Sequence, residues 1–330
     1  MEITVVTQDT LGGVQPYAAL AGALARAGHS VRAVAPAEYA WLFERRCVSC
    51  LPLDGMSTER SREVAIEAQG SRHGGLRTAA RALAAMVPGW AVQIRDFAEG
   101  SDVLTGGVGG SVLGRPVAAA LGVPSPANRN GNLLVAGYWF DDADSDHLSP
   151  DVEQFITEGG GKPVISVGFG SMVAADAQAL RELVAGAGRD AGVRVVLITG
   201  AGAVGEDSSP DSSDLLPVPS IPHRALFHRM DANVHHGGAD TTASALAAGV
   251  PSVIVPFGAD QPFWGRRANE LGVAPPPIPL KQLTRAHLVR ALHQALTDSA
   301  MRSRSAQLGK RISSEDGTGV AAQRFSSLRA

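Results

Sequence analysis

Short runs of β-branched, apolar residues recur along this chain, and each leads into a glycine-bearing turn and then a stretch with helical spacing. That alternation constrains the fold more than any other feature. Residues 2–7 are apolar and β-branched with little alternation, as suits a strand covered on both faces, and they run into Leu11-Gly12-Gly13. Val14, Tyr17, Leu20, Ala21 and Leu24 follow at helical spacing, with Pro16 where a first turn tolerates it, and Gly28 closes the helix before a strand over residues 30–35. A strand over 102–105 ends in Gly106-Gly107, and a helix over 110–121 closes at Gly122 before Pro124. The second half repeats the rhythm, with strands over 164–169, 193–199, 232–235 and 252–256, and helices over 177–187, 241–248, 263–271, 287–296 and 301–312.

Strands alternating with helices build parallel sheets flanked by helices, and two such series predict an α/β chain of two doubly wound, Rossmann-like domains facing a cleft. The polar, turn-rich stretch 126–132 places the boundary: an N-terminal domain over 1–135, a C-terminal domain over 136–312, and a last helix over 313–330 that packs back on the N-terminal domain. Ligands of such sheets bind beyond the carboxyl ends of the strands. With 330 residues, 45% hydrophobic and 18% charged, the chain has enough apolar material for two cores. A net charge of −3 with scattered arginines gives no basic stripe, so no nucleic-acid partner is expected. The opening Met1-Glu2-Ile3-Thr4-Val5-Val6 lacks the basic start of a secretory signal, and no run reaches the roughly 18 apolar residues of a membrane span, so a cytoplasmic protein is expected. Cys47 and Cys50 form a Cys-x-x-Cys pair, but two further zinc ligands or a strand followed by a helix N-terminus would be needed to make it functional, and neither is evident.

The chemistry concentrates in His235-His236-Gly237-Gly238-Ala239-Asp240-Thr241-Thr242, where a strand ends at His235 and a helix starts near Thr241. Glycines let the backbone approach a ligand, the N–H groups and dipole of a helix start attract an anion, and Thr241, Thr242 and His236 can donate to phosphate oxygens. The same residues also read as a plain glycine turn in which Thr241 or Thr242 caps the helix.

Together with Gly249-Val250-Pro251 and Pro256-Phe257-Gly258-Ala259-Asp260-Gln261-Pro262-Phe263-Trp264, this stretch closely resembles the signature of the glycosyltransferase family that includes antibiotic, macrolide and sterol glycosyltransferases. The resemblance implies a GT-B fold, a UDP- or dTDP-sugar donor held mainly by the C-terminal domain, a small-molecule acceptor held by the N-terminal one, and no metal ion or other cofactor. It places the diphosphate against His236, Gly238, Ala239 and Thr241, and gives Asp260 and Gln261 the sugar hydroxyls. Val167-Gly168-Phe169-Gly170-Ser171-Met172 resembles the family's strand-to-helix turn, with Ser171 near the diphosphate or sugar. Ser220-Ile221-Pro222-His223-Arg224-Ala225-Leu226-Phe227 resembles the segment that meets the nucleobase around Ile221 and approaches the nucleotide through His223. The likeness extends to Leu11-Gly12-Gly13-Val14-Gln15-Pro16-Tyr17, Ala27-Gly28-His29, Gly137-Tyr138-Trp139-Phe140 and residues 312–317.

Three departures stand out. Gly13 occupies the place where many relatives carry an aspartate acting as general base, which leaves Asp9 on the same loop as the candidate catalytic residue, against the reading of Asp9 as a solvated loop acid. The stretch between Pro124 and Gly137 is much shorter than in relatives, whose extra helices wall the acceptor pocket. Asp240 replaces a glycine of the family pattern. The expected function is transfer of a sugar, with inversion, to a small natural-product acceptor in antibiotic-type biosynthesis. The alternative is a catalytically weak partner protein that binds a nucleotide sugar in support of a true transferase. An epimerase on the same scaffold fits Asp260-Gln261 less well, and a nicotinamide enzyme fits poorly because Gly106-Gly107-Val108-Gly109-Gly110 lacks the dinucleotide spacing.

Overall fold

The computed structural model describes the chain except for Asp9, residues 54–74, 124–133 and 141–146, Gly159, Val173, Ala175, residues 201–203, 205–212 and 329–330, and the side chains of residues 75–86 and 108–113. It forms two compact units, one of Met1–Asp142 with Glu315–Ala330 and the other of Ala143–Ser314. The first unit holds β1 (Glu2–Val6), α1 (Leu11–Arg26), β2 (Ser30–Pro36), α2 (Trp41–Glu44), β3 (Ser49–Leu53), α3 (Gly75–Ala98), β4 (Val103–Gly106) and α4 (Val108–Leu121). The second holds α5 (Pro150–Thr157), β5 (Val164–Gly168), α6 (Ala177–Ala191), β6 (Arg194–Ile198), β7 (Leu215–Val218), α7 (His223–Phe227), β8 (Ala232–His235), α8 (Ala239–Ala247), β9 (Ser252–Ile254), α9 (Gln261–Glu270), α10 (Arg285–Thr297) and α11 (Ser299–Ser313). A last helix, α12 (Gly317–Ser327), belongs to the first unit.

In the first unit the parallel sheet runs β3-β2-β1-β4. Ile3 and Val5 of β1 pack on the layer of α1, while Val6 packs on the opposite layer with Trp90 and Ile94 of α3, as the two-residue period of a strand requires. Covered on both faces, β1 has no use for polar alternation; its one buried hydroxyl, Thr4 Oγ1, is matched by Ser101 Oγ at 2.7 Å. Helix α1 begins at Leu11, so Gly12 and Gly13 lie inside its first turn rather than in a preceding turn, and Pro16 falls in the second turn. Neither glycine takes a positive φ. Ala321 and Ala322 of α12 join the core beside α1, and His29 Nε2 meets Ser326 Oγ at 2.9 Å.

In the second unit the parallel order is β7-β6-β5-β8-β9. Ile165, Val167, Val195 and Leu197 face α6 and α10 through Leu180, Val184, Leu288 and Leu292. Val164, Val196 and Ile198 face the other way, toward Val152 of α5, Phe227 of α7 and Ala245 of α8. Between the layers, Ser166 Oγ donates to Asn233 Oδ1 at 2.6 Å, tying β5 to β8 where apolar contact alone would leave both groups unpaired. Strands β3 and β7 and helix α7 went unmarked by periodicity, because strands of five and four residues and a five-residue helix are too short to show a period; α3 and α5 went unmarked as well.

Helix α8 is held from behind by α11 at a close crossing: a Cβ at Gly309 would lie 2.6 Å from Gly249 Cα and 2.8 Å from Gly249 N. Gly309→Ala gains about 1 kcal/mol of helix propensity but must push two backbones apart, at a typical cost of about 1–3 kcal/mol. Thermal denaturation is expected to show a lower Tm than wild type. A Tm equal to or above wild type would mean that α11 is not pinned against α8.

Candidate functional site

Order in the second sheet reverses between β5 and β8, the switch point at which ligands of open parallel sheets bind. Gly168 pairs with His235, so the turns that leave these two strands start side by side. At Gly170, with φ +59°, a Cβ would lie 2.9 Å from Cε1 of His236, so the imidazole can lie against this turn only because the residue is glycine. At Gly237, with φ +87°, a Cβ would lie 2.8 Å from Ile254 Cγ2 and 3.2 Å from the carbonyl oxygen of Gln261. The turns after β5, β8 and β9 are thereby packed into one cluster.

Helix α8 begins at Ala239, two residues before the start read from the sequence, so Thr241 and Thr242 lie within its first turns and cannot cap it. Its N-cap is Gly238, which has no side chain to offer. Asp176, Thr284, Asp298 and Asp316 each cap their helices by accepting a backbone N–H. Against those four, the start of α8 is left open, with its N–H groups and positive dipole end unclaimed by a cap. Thr241 is buried at 9% exposure, and the buried Thr242 Oγ1 has no partner. Asp240 is the acidic residue of the first turn, where the dipole favours a carboxylate.

Two histidines shape this turn. Nδ1 of buried His235 accepts the Gly237 N–H at 3.2 Å, which puts the neutral ring's proton on Nε2, itself buried without a partner. Burial, reinforced by the neighbouring His236 and His223, pushes the His235 pKa down to about 3. His236 is pushed down to about 4 by burial and by His223, with the Asp260 carboxylate pulling the other way. Its Nδ1 is buried without a partner, and its Nε2 edge lies against Gly238, the cap position of α8. His223, at the start of α7, stacks on Phe227 at 4.7 Å and 12°, and burial lowers its pKa to about 4 although part of the residue remains accessible. All three imidazoles are neutral at pH 7. Each can therefore offer one N–H without bringing a full positive charge.

The pair Asp260-Gln261 divides differently from its sequence reading. Gln261 is 4% exposed, and its Oε1 accepts from the backbone N–H of Phe257 at 2.8 Å and of Gly258 at 3.2 Å, while Nε2 donates to Met172 Sδ at 3.2 Å. Its amide oxygen is engaged by the turn after β9. Asp260 is exposed, and its Oδ2 accepts from Trp264 Nε1 at 2.8 Å. Ser171 is half-buried beside Gly170. Ile221 packs against the layer that contains Leu226 and Phe227. The fold thus gathers Ser171, His236, Gly238, Ala239, Thr241, Asp260 and Gln261 around the switch point, with His223 coupled to the histidine pair through charge.

Asp9, the candidate base, and the short stretch after Pro124 lie outside the described residues. Burial and the charge of Glu44 push the Cys50 thiol up to about 12, while Cys47 is exposed in a left-handed turn with φ +56°. A thiol held protonated in this way is a poor nucleophile. His235, Met172 and Trp264 escaped the sequence reading. The doubled histidine at a strand end hinted at the first, and Met172 left no local signal because its contact with Gln261 spans 89 residues.

Residues 208–325 match the family described as erythromycin biosynthesis protein CIII-like, C-terminal domain. That match takes in the turns after β8 and β9. Among similar proteins, a sterol 3-beta-glucosyltransferase of Emericella nidulans is 40% identical over 210 residues, covering 61% of this chain and 15% of that protein. O-mycaminosyltylonolide 6-deoxyallosyltransferase of Streptomyces fradiae is 38% identical over 196 residues, covering 59% of this chain and 44% of that protein. The chain therefore spans less than half the length of these relatives. The crystal structure of a Streptomyces sp. glycosyltransferase complexed with thymidine diphosphate superposes with a TM-score of 0.67 at 17% identity, covering 99% of each chain, which establishes the GT-B fold. Among the described residues, no helix is long and apolar enough to cross a membrane.

Because His235 and His236 hold folded pKa values below the ordinary 6.5, the unfolded chain binds more protons as pH falls. Their stabilisation is complete above about pH 6.5 and declines as pH drops toward the folded values of about 3 and 4. Denaturant titrations between pH 7 and pH 5 are expected to show falling stability, with a shallower slope in His235→Asn. Equal slopes would show that His235 is not held neutral by the fold.

Proposed function

We propose that this chain transfers a sugar from a UDP- or dTDP-sugar to a hydroxyl of a small natural-product acceptor, with inversion at the anomeric carbon. The acceptor oxygen forms the new bond to the anomeric carbon, the bond to the β-phosphate oxygen breaks, the nucleoside diphosphate leaves, and a base takes the hydroxyl proton. The observation that carries this reading is the uncapped start of α8 beside His236 at the switch point. There the N–H groups of Ala239 and Thr241, the backbone at Gly238, the His236 imidazole and the Ser171 turn would receive the diphosphate, and Ile221 and His223 would flank the nucleoside. Asp260 would accept from a sugar hydroxyl. The relatives that match about three fifths of the chain are named as transferases acting on sterol and on a macrolide, which supports a polycyclic or macrocyclic acceptor and favours transfer over a supporting role for a partner enzyme. The N-terminal unit would hold that acceptor. Dipoles and neutral donors meet the diphosphate charge in this scheme, so the reaction would need no metal ion, and EDTA should leave the transfer rate unchanged.

Calorimetric titration with UDP and dTDP should detect binding that weakens about 10-fold or more in His236→Ala, since a hydrogen bond to a charged group contributes roughly 1.5–3 kcal/mol. Unchanged affinity would remove His236 from the site.

Proton abstraction is assigned to Asp9. Asp9→Asn should lower the transfer rate at least about 10-fold without changing nucleotide affinity. Gly13→Asp should be tolerated, because residue 13 lies in the helical first turn of α1, where a carboxylate complements the dipole. A neutral Asp9→Asn together with a faster Gly13→Asp would mean that the wild-type chain lacks a base on this loop.

A further inference from the structure

The first turn of α9 explains why Asp260 is available at all. An aspartate immediately before a helix ordinarily folds back to accept the N–H of the second or third residue. Here the backbone leaves it nothing to cap: the Gln261 N–H donates to Gly258 O at 3.2 Å, Pro262 has no N–H, and the Phe263 N–H donates to the carbonyl of Asp260 at 2.9 Å. The carboxylate makes no capping bond. Instead the indole one turn on reaches back, and Trp264 Nε1 donates to Oδ2 at 2.8 Å. Trp264 is half-buried and is itself packed edge-on against Phe263, with ring centroids 5.1 Å apart. Ala259, held at φ +52°, turns the chain into Asp260, and the Asp260 charge is felt by His236, which puts the carboxylate in range of the diphosphate turn.

We infer that Trp264 is a positioning residue: by engaging Oδ2 it fixes the plane of the Asp260 carboxylate and presents Oδ1 to a donor hydroxyl, so that sugars are told apart by the Trp264–Asp260 pair while Gln261 braces the turn. This rests on the donor-site reading above. An exposed carboxylate on its own samples several rotamers and reads hydroxyl geometry poorly; one held at a single oxygen keeps its second oxygen in a defined direction, and a misplaced hydroxyl then loses a charge-assisted hydrogen bond. The same division follows from the amide of Gln261, whose Oε1 already serves two backbone donors.

The test is isothermal titration of the full chain with UDP, UDP-glucose, UDP-galactose, dTDP and dTDP-glucose, for wild type, Trp264→Phe, Asp260→Ala and the double variant. Trp264→Phe keeps an aromatic ring at this position and removes the N–H together with part of the indole's volume. It is expected to leave UDP and dTDP affinity unchanged while shrinking the affinity differences among the sugars about 3- to 10-fold. In the Asp260→Ala background the same change should have no further effect, because its role acts through that carboxylate; a purely structural tryptophan would give additive losses. Unaltered sugar discrimination in Trp264→Phe, with Asp260→Ala impaired, overturns the role of Trp264 alone. Wild-type binding of nucleotides with no dependence on the sugar overturns Asp260 as a sugar contact and this inference with it. No binding of UDP or dTDP in wild type overturns the donor site itself.

Discussion

The parallel pairing of Gly168 with His235 underlies the rest of the site. Two adjacent strands running the same way end together, and the helices that follow them leave on opposite faces of the sheet, α6 over the layer of Ile165 and Val167 and α8 over the layer of Val164 and Val196. The turns between strand and helix therefore diverge from a common point and leave backbone ends facing outward. Packing them side by side leaves no room for Cβ atoms at Gly170 and Gly237, and both adopt the left-handed conformation that glycine takes without strain.

Electrostatics at this point come from dipoles more than from net charge. The start of α8 has no cap, His235 and His236 are kept neutral by burial, and the residues assigned to the diphosphate include no lysine or arginine. In the proposed reaction the diphosphate gains charge as the anomeric bond breaks, and fixed N–H groups stabilise that developing charge with little reorganisation. Asp240 and Asp260 place carboxylates near the same helix start, which moderates its pull on an anion and leaves hydroxyl recognition to groups that accept hydrogen bonds.

Much of this was legible in the sequence, and the errors have local causes. The alternation of apolar runs and helical spacing identified the central strands of both sheets, because covered parallel strands leave an unbroken apolar signature. Helix α8 was read as starting at Thr241 because threonine is a good cap, whereas the cap is Gly238, a residue chosen by the crowding of the turn and not by capping preference. At α1 the glycines suggested a turn, yet Gly12 and Gly13 are helical. Gln261 was read as a ligand for its chemistry; its bonds to the Phe257 and Gly258 N–H groups are local, whereas its contact with Met172 comes from a turn 89 residues away and could not be seen in the segment itself.

Sequence by itself determined the α/β class, the order of the main strands and the family likeness of the segment from His235 to Trp264, because periodicity, glycine punctuation and motif are all properties of neighbouring residues. Tertiary structure alone decided which polar groups remain available. It buried the imidazoles of His235 and His236 and so made them neutral, consumed the amide oxygen of Gln261, and left the Asp260 carboxylate uncapped and held by Trp264. The physical reason is that availability depends on desolvation and on hydrogen-bond competition among turns brought together by strand pairing, and neither quantity exists until the chain has folded.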